Sequence, residues 1–245
     1  MPATPAWPPA STPRLFVDQP LAPGAIVPLE GAPANYLAAV MRLGPGDPVR
    51  LFDDRTGEWL ADVTEAARKR VTLAVTRQLR LRESVPDIWL LFAPIKKAPI
   101  DWLVEKATEL GAARLQPVLT QRTIVDRVNL DRLRTITIEA AEQCDRTALP
   151  ELAEPTKLAA LLASWPTERT LLFADEQGGA PLREIARAGP TALLIGPEGG
   201  FTDQERQAIR AHPAAQAFTL GPRILRAETA ACAALAAWMS VAGDW

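Results

Sequence analysis

Leu193-Leu194-Ile195-Gly196-Pro197-Glu198-Gly199-Gly200-Phe201-Thr202-Asp203-Gln204-Glu205 is the stretch that decides the fold. An unbroken apolar run gives way to a loop carrying three glycines and one acid, and a helix start follows at once. Aliphatic residues without alternation mark a strand buried on both faces. Thr202 and Glu205 stand at the spacing of a capping box, in which a hydroxyl and a carboxylate satisfy exposed amides at a helix start. Asp203 adds negative charge where the helix dipole favours it. The segment therefore predicts strand, tight loop, helix. In α/β sheets, ligands lie at such carboxyl ends of strands.

A second stretch has the same design. Leu220-Gly221-Pro222-Arg223-Ile224-Leu225-Arg226-Ala227-Glu228-Thr229 closes the strand candidate 217–220 and precedes an alanine-rich helix expected from Glu228 to Val241. Glycine lets the backbone approach a ligand and take positive φ, and proline stiffens the turn. Either Gly-Pro alone could simply mark a strand exit. Two such loops, each with an embedded charge, point to a cradle.

Outward from these loops, residues 88–93, 114–119 and 171–174 read as further buried strands. Between them, Ile100, Leu103, Val104, Ala107 and Leu110 recur at helical spacing, as do Leu130, Leu133, Ile136, Ala140 and Cys144. Strands alternating with helices predict an α/β domain with a mainly parallel sheet over residues 87–245. Residues 14–80 differ. Short strand candidates fall at 14–17, 25–29, 48–52, 59–63 and 70–79, around one helix at 34–43. Val71, Leu73 and Val75 alternate with Thr72, Ala74 and Thr76, the period of a half-buried strand. This predicts a small β-barrel, joined by a linker at 81–86 and preceded by a proline-rich tail at 1–13.

Composition narrows the function. A formal net charge of −2 gives no whole-protein field to attract nucleic acid, so any such partner must be held by local patches. Two cysteines and one histidine exclude an all-protein Cys/His zinc site, and no metal is expected. The same cysteine count fits a reducing, cytoplasmic setting. No apolar run reaches about 18 residues, so no membrane partner is expected. The chain contains no G-x-x-x-x-G-K-[ST], no strand-borne G-x-G-x-x-G and no G-x-S-x-G, which disfavours P-loop, dinucleotide and serine-hydrolase chemistry.

The two glycine loops resemble the C-terminal signature of the SPOUT methyltransferases. The resemblance extends to Asp101-Trp102-Leu103-Val104-Glu105-Lys106-Ala107-Thr108-Glu109-Leu110-Gly111, to Glu139-Ala140-Ala141-Glu142-Gln143-Cys144, to Arg14-Leu15-Phe16 and to Leu43-Gly44-Pro45-Gly46-Asp47. In that order these motifs are similar to the RsmE family, which methylates N3 of a uridine in bacterial 16S ribosomal RNA. Two positions depart from the pattern: Asn35-Tyr36 stands where the family usually has two histidines, and Asp145 where a glycine is common.

The resemblance implies a PUA-like β-barrel for RNA binding at 14–80 and a SPOUT domain with a C-terminal trefoil knot at 87–245. It implies S-adenosyl-L-methionine as cofactor, a homodimer, and 16S rRNA within the small ribosomal subunit as substrate. Cofactor contacts are then expected from Leu172, Gly196, Pro197, Gly200, Leu220, Gly221, Ile224 and Leu225, since glycines and aliphatics suit an adenine slot reached by backbone groups. Arg226 is expected to stabilise the anion forming on the base, and Glu228 or Glu198 to take its proton. Structural roles are open to both acids, a first-turn helix charge for Glu228 and a loop-amide acceptor for Glu198. RNA phosphates are expected on Arg14, Arg42, Lys96, Lys97, Arg122, Arg127 and Arg146. Another RNA, such as tRNA, is the alternative substrate. A non-catalytic RNA-binding or ribosome-assembly factor is the alternative class.

Overall fold

A computed structural model describes residues 12–125 and 127–245, so the expected tail lies outside the described residues up to position 11. The chain forms two compact units. The first comprises residues 12–84 together with Ala141–Ala148, and the second Val85–Ala140 with Leu149–Trp245.

The first unit is built on five strands: β1 (Arg14–Phe16), β2 (Ile26–Glu30), β3 (Pro48–Phe52), β4 (Glu58–Ala67) and β5 (Arg70–Arg80). Their order is β1-β3-β4-β5-β2. β1 runs parallel to β3, and the remaining pairs are antiparallel. Alternation in β5 does what its pattern predicts: Val71, Leu73 and Val75 enter a core with Val27, Val49, Leu51 and Val63. The short helix α1 (Gly31–Asn35) widens into a π turn over Tyr36–Val40, which seats Leu37 in that core and leaves Tyr36 exposed.

Inclusion of Ala141–Ala148 corrects the sequence boundary, which assigned that segment to the C-terminal domain. The reason is a buried arginine. Arg14 donates to Glu58, to the carbonyl of Ala141 at 2.6 Å and to the carbonyl of Arg146. Its guanidinium carbon lies 3.9 Å from the centroid of the Phe52 ring. Asp145, where the resembled family commonly has glycine, takes φ 61° and pairs with Arg50 at 3.1 Å. A left-handed conformation is what makes glycine the favoured residue at such a place.

The second unit alternates strands and helices: β6 (Ile88–Phe92), α2 (Lys97–Glu109), β7 (Arg114–Leu119), α3 (Leu130–Gln143), β8 (Glu151–Leu152), β9 (Thr156–Lys157), α4 (Leu158–Ala163), β10 (Thr170–Ala174), β11 (Ala180–Pro181), α5 (Leu182–Ile185), β12 (Thr191–Ile195), α6 (Asp203–Ala211), β13 (Ala215–Thr219) and α7 (Ala227–Ala242). Strand order is β11-β13-β10-β12-β6-β7-β8, with every pair parallel. The expected α/β class holds.

Both sheet faces are covered, which explains the unbroken apolar runs. Leu90, Phe92, Leu172, Leu193 and Ile195 pack with Leu103 and Val104 of α2 and Leu235 and Trp238 of α7. Leu91, Leu171, Phe173 and Leu194 point the other way, toward Leu158 of α4 and Ile209 of α6. Each such fully buried side chain is worth about 1.5–3 kcal/mol relative to exposure.

Candidate active site

Three neighbouring strands end side by side. β13, β10 and β12 are adjacent and parallel, so Thr219, Ala174 and Ile195 deliver their following loops to one end of the sheet. Those loops enclose a cavity of about 360 Å³. Its walls are Asp175 and Glu176 after β10, the Gly196–Gly200 segment after β12, and the Leu220–Leu225 segment after β13.

The first loop is anchored by Phe201, which is buried and meets Phe173 edge to face with centroids 6.5 Å apart. A Cβ on Gly196 would lie 3.1 Å from the Phe201 ring, so the glycine lets this anchor close. The amide of Gly200 donates to the carbonyl of Pro197 at 2.8 Å and tightens the turn. The capping box forms as expected. Thr202 Oγ1 accepts from the Glu205 amide at 3.3 Å, and Glu205 Oε2 accepts from the Thr202 amide at 3.0 Å. Glu205 does more than its spacing implies: its Oε1 also accepts from the Gln121 amide at 2.7 Å, tying in the loop after β7.

In the second loop Gly221 has φ 108°, and a Cβ there would meet nothing within 4 Å. It is the backbone angle, then, that calls for glycine. Ile224 is 96% exposed although aliphatic, and it lines the cavity. α7 begins directly after, with Arg226 at its N-cap and the half-buried Glu228 in its first turn. No side-chain hydrogen bond or ion pair ties Glu198, Arg226 or Glu228 to other described residues. On α7, burial pushes the Cys232 thiol up to about 11, so it stays protonated near neutrality.

Beneath the cavity lies a charged lattice that the sequence did not reveal. The Asp175 carboxylate is fully buried and accepts from Arg206 Nε at 3.1 Å and Arg210 Nη2 at 2.7 Å. Arg206 reaches on to Asp203 at 3.3 Å and to Glu176.

The expected residues separate into groups. Gly196, Pro197, Glu198, Gly200, Leu220, Gly221, Ile224 and Leu225 all line the cavity. Leu172 does not. It lies inside β10, 1% exposed in the core, and Ala174 two residues on reaches the wall instead. Arg226 and Glu228 flank the wall at the start of α7 without lining it. Arg42, Lys96, Lys97, Arg122 and Arg127 are exposed. Lys96, Lys97, Arg122 and Arg127 follow β6 and β7, at the same sheet end as the cavity. Arg14 and Arg146 are buried in the first unit and are withdrawn as phosphate contacts. Arg14 is used up on Glu58 and two carbonyls, and Arg146 lies 3.7 Å from Glu83. Glu176, Ala174 and Arg223 also line the cavity and were not expected from sequence; only their position just after a strand or inside the second loop could have marked them.

The chain is similar to known proteins along most of its length. A family described as an RNA methyltransferase domain matches residues 82–239, and an RNA methyltransferase PUA domain matches residues 29–76. The ribosomal RNA small subunit methyltransferase E of Synechocystis is 34% identical over 220 residues, covering 86% of this chain and 72% of the relative. Its namesake in Rickettsia conorii is 28% identical, covering 91% and 93%. A crystal structure of ribosomal RNA small subunit methyltransferase E from Neisseria gonorrhoeae bound to S-adenosyl methionine superposes with a TM-score of 0.88 at 31% identity, covering 96% and 99% of the two chains. A methyltransferase from Legionella pneumophila in complex with the same cofactor gives 0.89 at 28% identity, covering 96% and 100%.

Proposed function

This chain belongs to the RsmE family of RNA methyltransferases, and from that premise we infer that it moves the methyl group of S-adenosylmethionine to N3 of a uridine in small-subunit ribosomal RNA. The observation that carries the reading is the convergence of both glycine loops on one cavity at the carboxyl ends of β10, β12 and β13.

The residues present suit the cofactor. An adenosine needs an apolar slot with backbone donors and acceptors at its edge. Ile195, Leu220, Ile224 and Leu225 supply apolar wall, and the open space over Gly221 leaves backbone uncovered. When bound, S-adenosylmethionine supplies an electrophilic methyl group on a sulfonium, with no metal needed. The protein has then to position the uridine and to handle the proton on N3. Arg226, exposed at the N-cap of α7, stands where it can stabilise the anion spread over the flanking carbonyls. Glu228 and Glu198, neither of them tied to another described side chain, are the candidates to accept the proton.

RNA is held by Lys96, Lys97, Arg122 and Arg127 beside the cavity, and by the first unit, for which the PUA match is the support. That unit serves as the PUA-like barrel. The route from β13 to α7 is the place for the trefoil knot: β13 lies beyond β10, yet α7 packs back on β12 and β6. Trp102 on α2 and Val241 on α7 stay exposed although apolar, which supports a homodimer built on these two helices. The target uridine lies in 16S rRNA within the small ribosomal subunit, in the cytoplasm.

Nucleoside mass spectrometry of 16S rRNA tests the reading. A strain lacking the protein is expected to lose 3-methyluridine, and re-expression to restore it. Persistence of the nucleoside in the deletion strain would sink the assignment.

A further inference from the structure

We propose that Glu176 is the residue that holds the ribose hydroxyls of the cofactor, an assignment that rests on the cavity being the S-adenosylmethionine site. Glu176 follows β10, the strand between the two that carry the glycine loops, and its side chain is about half exposed on the cavity wall. A Cβ on Gly200 would lie 2.6 Å from Glu176 Oε1, so this carboxylate occupies the space that a side chain on the first loop would take. With φ 67°, Gly200 also holds a conformation that other residues resist. The loop and the acid are therefore fitted to each other across the cavity.

The carboxylate is not free to swing away. Its Oε1 accepts from Arg206, whose guanidinium is 7% exposed and is fixed in turn by the fully buried Asp175. Arg210 closes the other side of Asp175 at 2.7 Å. Asp175 and Arg206 are positioning residues in this scheme, and Glu176 is the one that touches the ligand.

Fixed geometry decides which part of the ligand it takes. Arg206 is shared among Asp175, Asp203 and Glu176 and holds one oxygen of Glu176 in place, so this carboxylate cannot follow a mobile ammonium tail. It keeps its acceptor capacity, because an ionised carboxylate has about four lone-pair sites and Arg206 uses one oxygen. A neutral vicinal diol offers two donors and needs acceptors rather than charge. Acids just after a strand serve ribose hydroxyls in dinucleotide folds for the same physical reason.

Calorimetry on the full chain with three probes tests this: S-adenosylhomocysteine, methylthioadenosine, which lacks the amino-acid tail, and the 2′,3′-dideoxy analogue of S-adenosylhomocysteine. Glu176→Gln should weaken the first two by about tenfold, as expected for a lost charge-assisted bond, and the third by less than about twofold. Thermal melting of Glu176→Gln should match that of the wild-type protein. A loss confined to S-adenosylhomocysteine would move the carboxylate to the ammonium of the tail and overturn the assignment. Unchanged affinity for all three would remove Glu176 from the site while leaving the cofactor reading intact. Failure of the wild-type protein to bind S-adenosylhomocysteine would overturn the cofactor reading, and this assignment with it.

Discussion

The guanidinium of Arg122 donates to the carbonyl oxygen of Gly199 at 2.5 Å, so the loop after β7 grips the far side of the first glycine loop. Arg122 also reaches the Phe201 carbonyl at 3.4 Å, while the Gln121 amide next to it binds Glu205. Arg122→Ala should raise the cofactor dissociation constant by about fivefold, a loss of roughly 1 kcal/mol for a bond to a charged donor near the surface. Calorimetry without RNA makes the measurement decisive. A side chain serving only phosphate would leave that constant where it is.

Arg226 and the two acids should behave differently from the wall residues. Arg226→Ala is expected to lower kcat about 10²-fold or more with cofactor affinity unchanged, since it acts on charge that develops during the reaction. Removing the general base should cost about 10²–10⁴-fold and flatten the dependence of rate on pH. Single-turnover assays of Glu228→Gln and Glu198→Gln over a pH series assign the role. Near-normal turnover in both would end it for both.

Arg14 sits with Glu58 inside the first unit, and removing one partner of a buried pair strands the other. Arg14→Ala should therefore destabilise by about 3–5 kcal/mol in denaturant titration. Lys97→Ala, on an exposed residue, should stay within about 0.5 kcal/mol of wild type. It should instead weaken RNA binding and reduce the salt slope by about one. An unchanged melting curve for Arg14→Ala would contradict the buried ion pair.

Asp53 closes the turn between β3 and β4, accepting from the Arg55 amide at 2.9 Å, the Thr56 amide at 2.7 Å, the Thr56 hydroxyl at 2.7 Å and the Leu21 amide at 2.9 Å. Burial alone would raise its pKa, but these donors outweigh burial and hold it below the ordinary aspartate value. A depressed folded-state pKa contributes stability above the unfolded value of about 3.9, lost as pH falls through the folded value. Asp53→Asn should lower stability at neutral pH and shallow the acid limb below about pH 4. Urea titrations at a series of pH values check both effects.

Legibility in the sequence followed physical range. Strands covered on both faces announce themselves by unbroken apolar runs, and the capping box by a fixed spacing, so β6, β10, β12 and the start of α6 could be read directly. β8, β9 and β11 have two residues each, too few to establish a period. The cavity walls were readable because glycine and proline act locally. The lattice of Asp175, Arg206, Arg210 and Glu176 was not, because it joins acids in the loop after β10 to arginines 30 or more positions on that look like ordinary helix charges. Arg14 and Arg146 read as surface charges in the sequence for the same reason: nothing local announces that the fold buries them.

Those acceptors make the first unit indivisible in a particular sense. Arg14 finds the carbonyls of Ala141 and Arg146 only because the chain comes back after more than a hundred residues. A fragment cut at residue 84 keeps all five strands and their hydrophobic interior but deprives a buried cation of two of its oxygen partners. Limited proteolysis or a split gene would therefore release an N-terminal piece with all five strands and with Arg14 left to Glu58 alone among these partners. An N-terminal piece that is to keep those acceptors has to carry the Ala141–Ala148 segment with it.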